Sequence, residues 1–261
     1  MAMKGTLIVV GTGLQLGQTT ISAKNYIQNA EKLIYLVADP ITESWLKELN
    51  STAESLYGCY GEGKNRIDSY NEMVDKILMY VRNGYEVCLA LYGHPGVFVN
   101  PSHRAIEIAR KEGYKAEMLP GVSTEDCLFA DLGVDPASVG CLSYEATDLL
   151  LRRRLIDPRC SVIVWQIGVV GNLKFNKGKS KTKEIGVNLL KDYLLQYYPS
   201  EHLVMIYEAA QFSVLEPTKI SCKIEDITLN KISSISTLYI PPYETSSMDS
   251  SMFYDLKIEI N

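Results

Sequence analysis

Glu86-Val-Cys-Leu-Ala-Leu-Tyr92-Gly-His-Pro-Gly-Val-Phe98 decides the fold. Its first seven residues form a continuous apolar run, the pattern of a strand buried on both faces of a parallel sheet. A Gly-X-Pro-Gly turn follows, then a helix expected from about Ser102 to Glu112. Gly93 and Gly96 carry no Cβ to keep a ligand away from the backbone, and Pro95 fixes the turn. The run therefore points to a ligand-binding loop at the end of a buried strand.

Outward from this loop, strands and helices alternate. Leu7 to Val10 is a β-branched run ending in Gly11-Thr-Gly13-Leu-Gln-Leu-Gly17, after which Thr19 or Thr20 caps a helix to about Ala30. A second strand covers Lys32 to Val37, and a helix about Thr42 to Leu49. A Gly- and Tyr-rich loop, Tyr57 to Asn65, feeds an amphipathic helix from Arg66 to Arg82, and Tyr114 to Leu119 is the next strand. The alternation implies a doubly wound parallel sheet.

Pro120-Gly-Val-Ser123 marks the passage to a second half. There Ser123-Thr-Glu-Asp126 resembles a capping box opening a helix to Gly133. Expected strands lie near Cys141–Tyr144, Ser161–Ile167, Leu203–Tyr207 and Ser236–Ile240, with helices near Ala146–Arg154 and Lys183–Tyr197. The expected domains are 1–119, 120–242 and a tail, 243–261, read as an edge strand or a dimer arm.

A net charge of −5 disfavours broad phosphate attraction, so no nucleic-acid partner is expected. The one dense basic run, Lys174 to Lys183, reads as a solvated loop. Six cysteines form no C-x-x-C pair and no zinc spacing; Cys88, Cys127 and Cys160 sit in apolar runs and read as small core residues. This usage suits a reducing cytoplasm, and no stretch approaches the roughly 20 apolar residues of a membrane span. No metal is expected.

Five motifs occur in order: Tyr92-Gly-His-Pro-Gly-Val-Phe98, Met118-Leu-Pro-Gly-Val-Ser123, Cys127-Leu-Phe-Ala-Asp-Leu-Gly133, Tyr144-Glu-Ala-Thr147 and Trp165-Gln166. Together they resemble the borosin peptide α-N-methyltransferases, a branch of the tetrapyrrole methylase superfamily, from about Gly5 to Pro242. The resemblance implies a two-domain α/β fold with S-adenosylmethionine in the interdomain cleft and methyl transfer to backbone amide nitrogens of a peptide. It also implies a homodimer, or a heterotetramer with two precursors. Carried over by position, the cofactor contacts are Tyr92, His94 and Val97 in the first domain, with Thr124, Gln166, Ala209, Ser236 and Thr237 in the second. Thr124 and Ala209 depart from the family's more usual Ala and Gly, and all four are small.

An amide nitrogen is a poor nucleophile, because its lone pair is delocalised into the carbonyl. Methylating it calls for stabilisation of negative charge on the amide oxygen and for a proton acceptor. Tyr57, Tyr60, Arg66 and Tyr70 can supply both, and they match the family's tyrosine and arginine set. Arg66 and Tyr70 share a helix face, and an arginine beside a phenol favours its phenolate, which offers Tyr70 as base. Tyr92 is placed to orient the methyl group. Against this, the chain holds 17 tyrosines, so that half-buried loop or core roles for Tyr57, Tyr60 and Tyr70 stay open.

The tail has no run of small apolar residues suited to serial methylation, so a separate precursor chain is the expected substrate. Two alternatives stand beside this reading. One is a small-molecule methylase of the same superfamily, in whose tetrapyrrole members Asp commonly replaces His94. The other is a dinucleotide-binding protein built on Gly11-Thr-Gly13, whose glycine spacing misses the G-x-G-x-x-G pattern by one residue while Asp39 ends the second strand.

Overall fold

The computed structural model describes residues 5–37, 39–172 and 181–257. The chain divides into two compact units. The first comprises Met1–Val134, Gly171–Ser180 and Glu208–Thr218; the second comprises Asp135–Val170, Lys181–Tyr207 and Lys219–Asn261.

In the first unit the elements run β1 (Thr6–Gly11), α1 (Ile21–Asn29), β2 (Lys32–Leu36), α2 (Pro40–Leu49), β3 (Glu54–Ser55), α3 (Arg66–Arg82), β4 (Glu86–Leu91), α4 (Asn100–Lys111), β5 (Lys115–Met118) and α5 (Thr124–Leu132). The five strands form one parallel sheet in the order β3-β2-β4-β1-β5. Alternate residues of β1 and β4 supply two cores, because successive side chains leave a strand on opposite faces. Leu7, Val9, Leu89 and Leu91 pack with Met73, Ile77, Ala105 and Ala109 of α3 and α4. Ile8, Val10, Cys88 and Ala90 pack with Ala23, Ile27 and Leu46 of α1 and α2.

The helix starts follow local chemistry. Thr20 Oγ1 accepts the Ala23 amide at 3.1 Å, and Asp39 accepts that of Thr42 at 2.8 Å ahead of Pro40. Ser123 and Asp126 form the expected capping box, and α5 ends on left-handed Gly133. α4 begins two residues before the expected Ser102, with Pro101 in its first turn, where a missing N–H costs nothing.

The second unit holds α6 (Pro136–Val139), β6 (Cys141–Glu145), α7 (Ala146–Leu151), β7 (Ser161–Trp165), α8 (Lys181–Leu194), β8 (Leu203–Glu208), β9 (Thr218–Lys223), β10 (Thr237–Ile240) and α9 (Ser250–Asp255). Its sheet order is β6-β7-β10-β8-β9; β6 and β7 are parallel, and β10 is antiparallel to both neighbours. Val162, Val164, Ile206, Leu238 and Ile240 centre its core against Leu190 and Leu194 of α8.

Several expectations need correction. α7 stops at Leu151 instead of Arg154, and α8 covers 181–194 instead of 183–197. Cys88 is buried, but Cys127 and Cys160 are only half-buried. The tail forms a short helix, α9, where an edge strand or arm was expected, and residues 258–261 lie outside the described residues. So do residues 174–180 of the basic run. No helix among the described residues is long and apolar enough to cross a membrane.

Candidate functional site

The loops that leave β1 and β4 set the geometry of the first unit. From β1 the chain turns toward β2 and α1, whereas from β4 it turns past β1 toward α4 and β5, so two neighbouring strands release their loops in opposite directions. This is a topological switch point, where open α/β sheets bind ligands beyond the carboxyl ends of their strands.

Three glycines let the loops meet backbone to backbone. A Cβ on Gly11 would lie 2.2 Å from the Gly93 carbonyl oxygen, and one on Gly121 would lie 3.1 Å from Gly11 Cα. The Gly93 amide donates to the Gly13 carbonyl at 2.9 Å with Gly93 at φ 69°. Gly11-Thr-Gly13 is thus a turn that carries the β4 loop. Gln18 Oε1 accepts the Leu14 and Gln15 amides, while Gln15 Nε2 donates to the Ala210 carbonyl at 3.1 Å, which brings the segment after β8 to this turn.

The β4 loop is held at several points. His94 Nδ1 accepts the Gly96 amide at 3.0 Å, which places the proton of a neutral ring on Nε2. His103 Nε2 lies 2.8 Å from the Gly96 carbonyl oxygen, and the buried Ser102 Oγ lies 2.6 Å from that of Pro95. A Cβ on Gly96 would press on Met118 Sδ at 2.7 Å.

Beside this loop lies a cavity of about 280 Å³ within the first unit. It collects Tyr57, Tyr60, Tyr70 and Tyr92, four of the five residues expected to act in catalysis. A 3₁₀ turn, Tyr57–Cys59, sets Tyr57 and Tyr60 three residues apart on one side, their rings edge to face at 6.0 Å. Lys64 fastens the loop to α3, donating to the Cys59 carbonyl at 2.9 Å and pairing with Glu72 at 2.7 Å. Tyr70 projects from the first turns of α3, and Tyr92 directly follows β4. The fifth residue, Arg66, is half-buried at the start of α3 and does not line the cavity.

Burial pushes the Tyr60 phenol up to about 12; the neighbouring Tyr70 adds to this and Arg66 opposes it. Tyr92 is also pushed up to about 12, by burial and then by Cys127 and Asp39. At neutral pH these two are phenols, equipped to donate hydrogen bonds to a developing oxyanion.

The remaining expected cofactor residues fall in two places. Val97 is exposed on the β4 loop, Thr124 opens α5, and Ala209 follows β8; all three belong to the first unit. In the second unit Gln166 sits at the end of β7 in a left-handed conformation, φ 59°, and the Ile167 amide donates to the Ser236 carbonyl at 3.2 Å. Ser236 and Thr237 are buried at the start of β10, so these three are brought together.

Sequence reasoning missed the cavity's apolar floor of Leu56, Met73, Leu89 and Leu91, and it missed Phe98 at its opening. The floor residues read as ordinary core in a sequence. Phe98 ends the motif itself, but its positive φ of 56° has no sequence signal. Among the described residues no cluster of three or more His, Cys, Asp or Glu side chains is placed to hold a metal.

Comparisons with known proteins agree with this geometry. Residues 6–211 match the family model of the Tetrapyrrole (Corrin/Porphyrin) Methylases. The methyltransferase/ribosomally synthesized cyclic peptide dendrothelin A precursor of Dendrothele bispora is 46% identical over 244 residues, 91% of this chain and 58% of that protein. The corresponding omphalotin A precursor of Omphalotus olearius is 43% identical over 243 residues, 91% and 58%. A type I borosin cyclic peptide precursor of Coprinopsis marcescibilis is 41% identical over 248 residues, 93% and 63%. The chain spans about three fifths of the length of these relatives. Among solved structures, uroporphyrin-III-C-methyltransferase from Thermus thermophilus superposes with a TM-score of 0.65 at 17% identity, covering 99% of each chain. The same enzyme complexed with S-adenosyl homocysteine gives 0.61 at 16%, covering 91% of this chain and 92% of that one. The chain is similar to borosin methyltransferase/precursor proteins and belongs to the tetrapyrrole methylase family.

Proposed function

We propose that this protein is an S-adenosylmethionine-dependent methyltransferase that N-methylates backbone amides of a peptide. The observation that carries the reading is the gathering of Tyr57, Tyr60, Tyr70 and Tyr92 around one cavity beside the switch-point loops. A cavity of about 280 Å³ has room for one peptide side chain.

The loop chemistry suits the cofactor. Where the backbones of Gly11, Gly93 and Gly121 meet, carbonyl oxygens such as that of Gly93 lie close by and favour a sulfonium cation; exposed Val97 offers an apolar contact. The proposed contacts are Tyr92, His94, Val97, Thr124, Gln166, Ala209, Ser236 and Thr237. When bound, the cofactor supplies an electrophilic methyl group. The chain's own part is to bind and orient the acceptor amide, to hold its oxygen with neutral phenols of Tyr60 and Tyr92, and to accept the amide proton at Tyr70 under the influence of Arg66. Tyr57, more than half exposed, takes a position at the rim.

Residues 243–261 are Ser-rich and acidic and lack an apolar acceptor run, so they are not the proposed acceptor, and a separately supplied precursor peptide tests the activity. The dimer and the two-precursor heterotetramer rest on the family resemblance, and the proposed cytoplasmic setting rests on the cysteine usage. Light scattering that finds a monomer at micromolar concentration with peptide present would remove the first two.

Intact mass spectrometry of the full chain with S-adenosylmethionine and a borosin-type precursor peptide tests the activity. Whole increments of one CH₂, placed by fragmentation on backbone amides and lost in Tyr70→Phe, support the reading. Tight cofactor binding with no increment on any peptide, together with uptake of a porphyrinoid, would move the substrate to small molecules.

A further inference from the structure

We infer that Phe98 sets the size of the acceptor side chain admitted to the tyrosine-lined cavity, an inference that rests on the peptide reading proposed above. The cavity has a floor and an opening of different character. Its floor residues Leu56, Met73 and Leu89 are essentially inaccessible, whereas the lining residues Phe98 and Tyr57 are 46% and 52% exposed and so stand at the mouth. An apolar floor beneath an aromatic rim accepts an aliphatic side chain and presents the adjoining backbone amide to the phenols at the wall.

The direction in which the Phe98 side chain leaves the chain is set by its backbone. A non-glycine residue at φ 56° is strained and persists only where the surroundings over-determine it. Here they do. Before Phe98, Pro95 is tied through its carbonyl to Ser102 Oγ, the Gly96 amide is tied to His94 Nδ1, and the Val97 amide donates to the His94 carbonyl at 3.2 Å. After it, the Val99 carbonyl oxygen lies 2.8 Å from the same Ser102 Oγ, whose single proton is shared between it and the Pro95 carbonyl. These ties set the backbone on either side of Phe98, and the residue, lining the cavity while 46% exposed, stands at its mouth. The loop that carries the proposed cofactor contacts His94 and Val97 therefore also carries the gauge for the substrate.

The test is the ratio of kcat/KM for a peptide with Phe or Trp at the acceptor position to that for the same peptide with Val, measured by mass spectrometry within each enzyme form. In the wild type this ratio is expected to be about 0.1 or lower, and Phe98→Ala is expected to raise it about tenfold or more, the scale on which hydrophobic pockets discriminate by size. Phe98→Asn removes the ring while keeping a residue that tolerates the left-handed conformation, so it should raise the ratio equally without loosening the loop. An unchanged ratio in both variants, or an equal fall for every peptide, overturns the inference and leaves peptide methylation standing. A wild type that methylates none of the peptides removes the proposed function and this inference with it.

Discussion

At the residue scale, the site depends on backbone contacts that only glycine allows and on phenols kept neutral by burial. Gly11 and Gly17 make a controlled pair. A Cβ at Gly11 meets the Gly93 carbonyl at 2.2 Å, while one at Gly17 meets nothing within 4 Å. Gly11→Ala should destabilise by about 2–3 kcal/mol through backbone displacement, and Gly17→Ala should be near neutral, as read from urea midpoints. The tyrosines give a pH dependence of definite sign. Below pH ~10 Tyr60 and Tyr92 hold their protons whether the chain is folded or unfolded. From there to about 12 the unfolded chain releases them and the folded one does not, so stability falls as pH rises through that window. Denaturation midpoints that stay level from pH 9 to 11.5 would contradict this, and Tyr60→Phe should flatten the fall. For catalysis, Tyr92→Phe removes a proposed oxyanion donor and should lower kcat about 10²-fold.

At the scale of elements, β3 shows how a two-residue strand can matter. Burial opposes ionisation of Glu54, but hydrogen bonds from Lys32, Lys76 and Tyr80 outweigh it and hold the carboxyl at about 2. Both lysines lie 2.7 Å away, and Tyr80 donates at 2.7 Å, so β2, β3 and α3 are joined ahead of the tyrosine loop. Because the folded carboxyl titrates below its ordinary value of ~4.3, this contribution is complete above that pH and is lost as pH falls toward 2. Glu54→Gln should therefore be less stable than wild type at pH 7, with the gap closing near pH 2; a gap independent of pH would exclude the mechanism. β3 was also illegible in the sequence, as was β9, because short polar edge strands lack an apolar run. β1, β4 and β7 were legible, being continuous β-branched or apolar stretches buried on both faces. The expected tyrosines also came together, since spacing in a 3₁₀ turn and a helix start is local. The left-handed residues Phe98 and Gln166 were not foreseeable, because surrounding hydrogen bonds and not their own propensity impose those conformations.

For the whole molecule, the path of the chain bears on cooperativity. Glu208–Thr218 belongs to the first unit, yet it is continuous with β8 and β9, and Ala210 within it accepts the Gln15 hydrogen bond of the first unit's glycine turn. Unfolding the second unit would release both ends of that segment and deprive the first unit of part of its structure. The two tryptophans report on this separately. Trp45 in α2 packs against the α1–α2 core of the first unit, and Trp165 in β7 is buried in the second, with Nε1 donating to Ser143 Oγ at 2.7 Å. The single-tryptophan variants Trp165→Phe and Trp45→Phe isolate the two signals. Into each, Ile206→Ala places a cavity in the second unit's core at a cost of about 2–5 kcal/mol. If the shared segment couples the units, urea transitions followed by Trp45 and by Trp165 move to lower midpoints together. A shift confined to Trp165 would show that the first unit, with its glycine turns and tyrosine cavity, holds its structure without support from the strands that deliver Ala209 and Ala210 to it.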